Sequence, residues 1–232
     1  MRNTSFWVLI ILLTTGIGAN KGNAQSRSWD AGAIGGIGFV RVNGNPLLSS
    51  FLESDSRPCF GPAVRVELNK RYSVRSHLAY ESKGAKGFLP LYDDEGEPLG
   101  LFQTQINYDY LTLPVLIEAA WGGKLKFTLS MGPYLGIMLS QKTTYTDLFS
   151  GDVLKDTDMS KYVPWDGGWI TGSGLRLQAG KRTIITLDGR LNFGLANVAS
   201  KPVFYSLELH QQSSQILLGI HFRPKSMSRR RP

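Results

Sequence analysis

The residues that could bind a metal ion are few, and their spacing fits no familiar site. The three histidines, His77, His210 and His221, form no close pair such as HxxxH, so the spacing argues against zinc. Acidic residues gather at 93–97 and 147–158, but they lack the alternating oxygen ligands of a calcium loop. We interpret both acidic segments as solvated loops. The sequence therefore predicts no metal site and no cofactor.

Two glycine-rich stretches resemble known sequence motifs but do not match them. Residues 35–38, Gly-Gly-Ile-Gly, are not a dinucleotide-binding fingerprint, because no helix follows them. Ser173 lies between Gly172 and Gly174 and not in the GxSxG turn of a hydrolase. Since no convergent catalytic set is evident, we expect no catalytic activity.

A third group of polar residues is charged and occupies alternate positions in otherwise apolar segments. It consists of Arg65, Glu67, Arg75, His77, Glu81, Glu118, Lys126, Arg176, Asp188 and Arg190. A period of two places these side chains on one face of β-strands and the apolar residues on the other. Buried charges are costly when they are unpaired, so these residues should pair with one another. We predict a structural charge network on an inner face.

The elements that carry these residues are eight alternating segments. The clearest pair is joined by Gly122 and Gly123, which is typical of a β-hairpin. The eight segments are 29–42, 60–69, 72–82, 108–121, 125–140, 169–179, 183–195 and 214–222. In the second strand of that hairpin, odd-numbered residues from Leu125 to Leu139 supply the apolar face. Even-numbered residues from Lys126 to Ser140 supply the opposite face. The facing of the Gly-rich first segment is ambiguous.

The connections between these segments alternate in length. Those at 69–71, 122–124 and 180–182 are short, whereas those at 43–58, 83–107, 141–166 and 196–213 are long. Short turns on one side and long loops on the other are typical of membrane β-barrels. We predict an all-β, eight-stranded, antiparallel, up-and-down transmembrane β-barrel with short periplasmic turns and four long extracellular loops. The interior of such a barrel is just wide enough for side chains to fill it, so a plug of ion pairs is favoured over a pore.

The N-terminal segment indicates export. Arg2 precedes an apolar run over residues 6–15, and small residues before Gln25 provide a cleavage site. The run is too short and too interrupted for a transmembrane helix. We predict a cleavable signal peptide at 1–24, a barrel domain at 25–223 and a basic periplasmic tail at 224–232. Removal of the signal peptide would lower the formal net charge from +8 to about +6.

The basic charge and the single cysteine add little to the functional interpretation. Much of the positive charge lies in the C-terminal tail and in short connections, without a basic helix or interleaved aromatic residues, so no nucleic-acid partner is expected. Cys59 is the only cysteine, and it cannot form an intramolecular disulfide. No cysteine lies at the cleavage point, which excludes lipid attachment there.

Three motifs give the chain a family resemblance. Residues 110–116 have the sequence YLTLPVL, residues 132–136 have GPYLG, and the last segment ends with LLGIHF at 217–222. In this order they resemble the outer-membrane β-barrel (porin-like, PorT-like) family of Gram-negative bacteria. The resemblance implies an eight-stranded barrel in the outer membrane and no catalytic residues. The chain departs from the usual pattern because ten residues follow Phe222.

The expected function follows from this barrel. We predict a structural or interaction role, with outer-membrane lipid around the barrel and a protein secretion or uptake complex as the candidate protein partner. The alternatives are a small passive porin and a soluble periplasmic, lipocalin-like ligand binder; an outer-membrane lipid-modifying enzyme would need a nucleophile that the sequence does not nominate. Aromatic residues at strand ends are expected to face the membrane interface: Trp29, Tyr72, Tyr80, Tyr108, Tyr110, Trp121, Tyr162, Trp165 and Trp169.

Overall fold

The computed structural model describes residues 28–43, 52–92, 98–197 and 210–224. The predicted signal peptide at 1–24 and the tail after Pro224 lie outside these residues. The described chain forms β1 Trp29–Asn43, β2 Leu52–Glu67, β3 Tyr72–His77, β4 Ala79–Tyr92, β5 Pro98–Gly122, β6 Leu125–Asp147, β7 Val153–Asp156, a short 3-10 helix Met159–Lys161, β8 Trp165–Gln178, β9 Thr183–Gly194 and β10 His210–Phe222.

Eight strand positions form a closed antiparallel ring. Strands β3 and β4 are separated only by Leu78, and both pair with β2 on one side and β5 on the other, so they are two parts of one wall strand. Strand β7 pairs only with β6 and lies outside the ring. Strand β1 pairs with β10 and closes the ring. The predicted fold class is confirmed.

Close packing at the closing seam depends on small residues in β1. A Cβ atom on Gly36 would overlap the carbonyl oxygen of Ile216 in β10, and one on Gly32 would overlap that of Ile220. Only glycine leaves room for the two backbones at these positions. The glycine-rich stretch that resembles a nucleotide motif therefore belongs to the barrel wall.

Three tight turns lie at one end of the barrel, here called the short-turn end. The turn after β2 is held by the side chain of Asn69, whose Oδ1 accepts hydrogen bonds from the backbone N–H groups of Arg71 and Tyr72, each at 2.8 Å. The turn after β5 begins at Gly122, which has a φ of 121°, a conformation that favours glycine. The third turn joins β8 to β9. The first described residues and the end of β10 lie at this same end.

Side chains alternate strictly between the interior and the outer surface over most of the ring. In β6 the apolar residues Phe127, Leu129 and Met131 are exposed, while Thr128 and Ser130 are buried. The predicted inward position of Ser140 is wrong, because a register irregularity opposite Asp109 shifts the alternation after Met138. From that point Gln141 and Thr143 are buried and Ser140 is exposed.

Several strands continue beyond the predicted bounds at the end of the barrel opposite the short turns, here called the long-loop end. Strands β4 and β5 pair as far as Tyr92 and Pro98, and β5 pairs with β6 as far as Asp147. The segments predicted as loops at 43–58, 83–107, 141–166 and 196–213 therefore contain strand residues. These include 52–58, 83–92, 98–107, 141–147, 153–156, 165–166 and 210–213. The alternation persists there, with Phe102 and Ile106 buried, but the outward positions are partly polar. A search for strands with an apolar outer face therefore stops too early. We call this part, formed by residues 84–92 of β4, 98–109 of β5, 140–147 of β6 and β7, the outer sheet.

Candidate functional site

The candidate functional site is the charge network inside the barrel, and its centre is Glu118 on β5. This carboxylate is fully buried and contacts guanidinium groups from three other strands. Its Oε1 lies 3.1 Å from Nε of Arg65 and 3.2 Å from Nη1 of Arg176, and its Oε2 lies 3.4 Å from Nη1 of Arg75. The hydroxyl of Ser73 donates to Oε1 at 3.2 Å. One buried carboxylate thus joins β2, β3, β5 and β8.

A second carboxylate extends the network across the interior. Asp188 on β9 accepts a hydrogen bond from Nη1 of Arg75 at 2.8 Å and lies 3.6 Å from Nη2 of Arg190. Nη1 of Arg190 lies 3.2 Å from Nε2 of His77 on β3. Strands β3 and β9 lie on opposite sides of the ring, so these contacts cross its full width.

At the closing seam, Asp30 on β1 joins the network. Its Oδ1 lies 3.5 Å from Nη1 of Arg65 and 3.2 Å from Nδ1 of His221 on β10. All three side chains are fully buried. The charge network therefore links the first and last strands of the ring as well as its opposite walls.

A second level of polar contacts lies nearer the long-loop end. Nζ of Lys83 on β4 donates to Oδ2 of Asp166 on β8 at 2.8 Å, and the hydroxyl of Tyr134 lies 3.2 Å from the same oxygen. Nζ of Lys83 also lies 4.7 Å from the centre of the Tyr110 ring, close enough for a cation–π contact. These groups lie in the lumen between the Glu118 centre and the long-loop end.

Glu81 completes this second level. Its Oε1 accepts hydrogen bonds from Nδ2 of Asn192 on β9, at 3.3 Å, and from Nε2 of Gln215 on β10. Strand β4 is not a neighbour of β9 or β10 in the ring, so these contacts also span the lumen.

The buried charges of the described interior balance. Five basic and five acidic side chains are buried: Arg65, Arg75, Lys83, Arg176 and Arg190, with Asp30, Glu81, Glu118, Asp166 and Asp188. Pairing of this kind offsets the large cost of removing charges from water. The ten buried Asp, Glu, Lys and Arg side chains of the described interior thus have no net charge.

The predicted network residues do not all lie in this interior. Arg65, Arg75, Glu81, Glu118, Arg176, Asp188 and Arg190 are buried together. Glu67 is instead half-buried at the short-turn end, where its Oε1 lies 2.7 Å from Nη2 of Arg223. Lys126 is also half-exposed at that end and has no ion pair with a described residue. Glu67 is the last residue of β2 and Lys126 is the second residue of β6, so water reaches both side chains.

Three interior charges were absent from the predicted set. Lys83 and Asp166 fall in segments that were predicted as loops, and Asp30 falls in the Gly-rich strand of ambiguous facing. For two of these three residues, the alternation in the sequence indicated an inward position. Lys83 continues the odd-numbered inner positions of Arg75 and Glu81, and Asp166 shares the even-numbered parity of Arg176.

The predicted aromatic belt is correct for some residues and wrong for others. Trp29, Tyr72, Trp121, Trp165 and Trp169 are exposed on the outer surface, and Tyr80 is half-buried. Tyr108, Tyr110 and Tyr162 are instead buried inside. The first two occupy inward positions of β5, and Tyr162 folds back from the β7–β8 connection so that its hydroxyl lies 3.3 Å from that of Tyr108.

Within the described ranges, no group of three or more His, Cys, Asp or Glu side chains is arranged to hold a metal ion. In the same part of the chain, no helix is long and apolar enough to cross a membrane.

Comparison with known sequences identifies the family. Residues 23–200 match the family model described as "Outer membrane protein beta-barrel domain". The chain belongs to this family. No curated protein has a sequence that matches the chain significantly.

Solved structures of similar fold include bacterial outer-membrane barrels. OprG from Pseudomonas aeruginosa is 10% identical with a TM-score of 0.45, and the match covers 86% of this chain and 98% of OprG. Ail from Yersinia pestis is 11% identical with a TM-score of 0.43 and coverage of 84% and 98%. Neisserial surface protein A is 8% identical with a TM-score of 0.43 and coverage of 84% and 97%.

Membership in the outer-membrane barrel family explains the exposed apolar surface. Large apolar side chains face outward around the ring, among them Ile37, Leu113, Leu135, Leu187 and Leu218. Such a band would be unfavourable in water but matches the hydrocarbon core of a membrane. A soluble lipocalin-like binder would need the opposite arrangement, with an apolar interior and a polar surface. That alternative is wrong, and the protein is located in the outer membrane.

Proposed function

We propose that this protein is a non-conducting outer-membrane barrel whose role is structural: it anchors the outer sheet as an interaction surface outside the cell. The observation that carries the proposal is the set of ion pairs and hydrogen bonds that cross the lumen between opposite walls, from Arg75 to Asp188 and from Lys83 to Asp166. A water-filled pore would require these contacts to open, which would leave buried charges unpaired.

The length of the strands supports the second part of the proposal. Strand β5 has 25 residues and β6 has 23, whereas a tilted strand needs only roughly 9–11 residues to cross the membrane. The additional residues form the outer sheet. Its inner side is packed by Phe102, Ile106 and Tyr108, so it is a folded structure and not a set of independent loops.

The tip of the β6–β7 hairpin is the part of the outer sheet best suited to contact a partner. Leu148, Phe149, Val153 and Leu154 are exposed there, and Phe149 is 90% exposed. The turn is fixed by Asp147, whose Oδ1 accepts a hydrogen bond from the backbone N–H of Phe149 at 2.8 Å. Exposed apolar residues on an ordered turn are typical of interaction sites.

Conductance measurements test the non-conducting character. Purified protein refolded into a planar bilayer should give no discrete channel openings at moderate voltage. As a positive control, the double variant Lys83→Ser/Asp166→Ser and the triple variant that adds Arg75→Ser should conduct if the filled lumen is what blocks ions. Discrete openings from the wild-type protein would support the porin alternative and overturn the proposal.

Photo-crosslinking tests the interaction role. A photoreactive amino acid at position 149 should give a protein adduct of defined mass in intact cells, whereas the same group at the lipid-facing position 135 should give none. The absence of a protein adduct at position 149 and at neighbouring tip positions would contradict an interaction role for this hairpin. An accessory role in a protein secretion system, which is one version of the predicted interaction role, would require the adduct to be a component of such a system. We expect no catalytic activity in either case.

A further inference from the structure

A cavity of about 380 Å³ opens at the short-turn end of the barrel. Its walls include the inward-facing side chains of Lys126, Arg176 and Ile184 and the turn after β5, so it lies at the mouth of the lumen and not on the lipid-facing surface. We call it the periplasmic-mouth pocket, because the short turns of outer-membrane barrels face the periplasm.

The periplasmic-mouth pocket is strongly basic. Five of its lining residues are cationic, Lys70, Lys124, Lys126, Arg176 and Arg223, and one, Glu67, is acidic. Glu67 is paired with Arg223 at 2.7 Å, and Arg176 is paired with Glu118 at 3.2 Å. The three lysines have no ion-pair partner among the described residues.

The surroundings of the pocket have the same sign of charge. The turns beside it carry Arg71, Lys181 and Arg182, all of which are exposed. The charge network deeper in the lumen is neutral, so it does not compensate this excess. Among the described residues, the short-turn end therefore carries an excess of positive charge.

We propose that the periplasmic-mouth pocket binds the carboxylates of an acidic segment of a periplasmic protein. Three unpaired ammonium groups around a cavity complement a short run of Asp or Glu side chains. A lipid headgroup fits less well, because the acyl chains lie outside the barrel wall while the pocket opens along the barrel axis. This inference is independent of the proposed role of the outer sheet, which lies at the opposite end.

The binding test uses a defined acidic peptide. The full-length protein in phosphatidylcholine nanodiscs is titrated into fluorescein-labelled hexaglutamate, and binding is followed by fluorescence anisotropy. We expect binding that weakens as salt is raised. The triple variant Lys70→Gln/Lys124→Gln/Lys126→Gln should bind about tenfold more weakly, since each partly exposed ion pair contributes about twofold to threefold.

A matched control separates the pocket from overall charge. The variant Lys86→Gln/Lys142→Gln/Lys155→Gln removes the same charge from the outer sheet and should leave the affinity unchanged. Unboiled-gel mobility is used to check that both triple variants are folded. Equal affinity of the pocket variant and the wild type would overturn the proposal, as would the absence of hexaglutamate binding.

A second arm distinguishes protein from lipid. When phosphatidylglycerol replaces part of the phosphatidylcholine, bound hexaglutamate should remain bound to the wild-type protein. Displacement of the peptide from the wild-type protein by phosphatidylglycerol would assign the pocket to a lipid phosphate and overturn the acidic-segment proposal.

Discussion

The substitution Glu118→Gln tests whether the charge network stabilises the barrel. Glutamine has nearly the size of glutamate and can still accept the hydrogen bond from Ser73, so the variant removes charge with little change in packing. Three guanidinium groups that lie within 3.4 Å of the carboxylate would then lose their common counter-ion. Among the buried charges of the described interior, five basic groups would face four acidic ones.

The expected magnitude follows from burial and from the number of partners. Removing one member of a buried ion pair costs about 3–5 kcal/mol, because the remaining charge stays out of water without compensation. Arg75 retains Asp188 and Arg65 retains Asp30, so the loss falls mainly on Arg176. We expect Glu118→Gln to lower the free energy of unfolding by about 3 kcal/mol, at the lower end of that range.

The assay is reversible urea unfolding of the purified protein in lipid vesicles, supported by heat-modifiable mobility on unboiled gels. Glu67→Gln is the matched control, because the same chemical change there breaks a half-exposed pair with Arg223. That control should cost less than about 1 kcal/mol. The double variant Glu118→Gln/Arg176→Gln restores neutrality and should be less destabilised than Glu118→Gln alone.

Two results would refute this reasoning. If Glu118→Gln and Glu67→Gln lowered the free energy of unfolding equally, burial and the number of partners would not determine the cost. If the double variant were as unstable as the sum of its single variants, Glu118 and Arg176 would not be energetically coupled.

Three further predictions concern the seam, the hairpin tip and the cysteine. Gly36→Ala should reduce the yield of folded barrel, because the added Cβ would overlap the backbone of β10. Gly35→Ala should fold normally, since its nearest new contact is an ordinary one of 3.7 Å. Gel mobility after refolding compares the two variants. A backbone hydrogen bond from Phe149 lowers the pKa of the Asp147 carboxyl below its ordinary value of 3.8. The turn should therefore keep its order at higher pH and lose it as the pH falls through the lowered pKa. Amide NMR shifts of the tip are the readout. Cys59 is buried and free and should react with maleimide only after unfolding; rapid labelling of the folded protein would contradict its inward position.

The period-two pattern was sufficient to predict the ring, because lipid on one side and packed polar groups on the other impose strict alternation. It placed Arg65, Glu118 and Asp188 on the inner face from sequence alone. It could not state which charges meet, because partners such as Arg75 and Asp188 are brought together by ring closure and not by spacing along the chain.

The pattern lost information where the outer environment changes. Beyond the membrane the outward positions become partly polar, so the strand extensions that carry Lys83 and Asp166 were predicted as loops. Near the strand ends the pattern instead predicts burial for side chains that are partly exposed. Lys126 keeps the inward parity, but its side chain lies at the open mouth, and parity alone does not report depth.

The contacts across the lumen also have a consequence for how the chain folds. Arg75 and Asp188 are 113 residues apart in sequence, and Glu81 and Gln215 are 134 apart. An incomplete sheet inserted in the bilayer would expose its inner arginines to hydrocarbon, which is costly. Strand-by-strand entry is therefore unfavourable, and insertion should coincide with the meeting of β1 and β10. Assembly of this barrel is accordingly expected to be cooperative, with few stable intermediates between the unfolded chain and the closed ring.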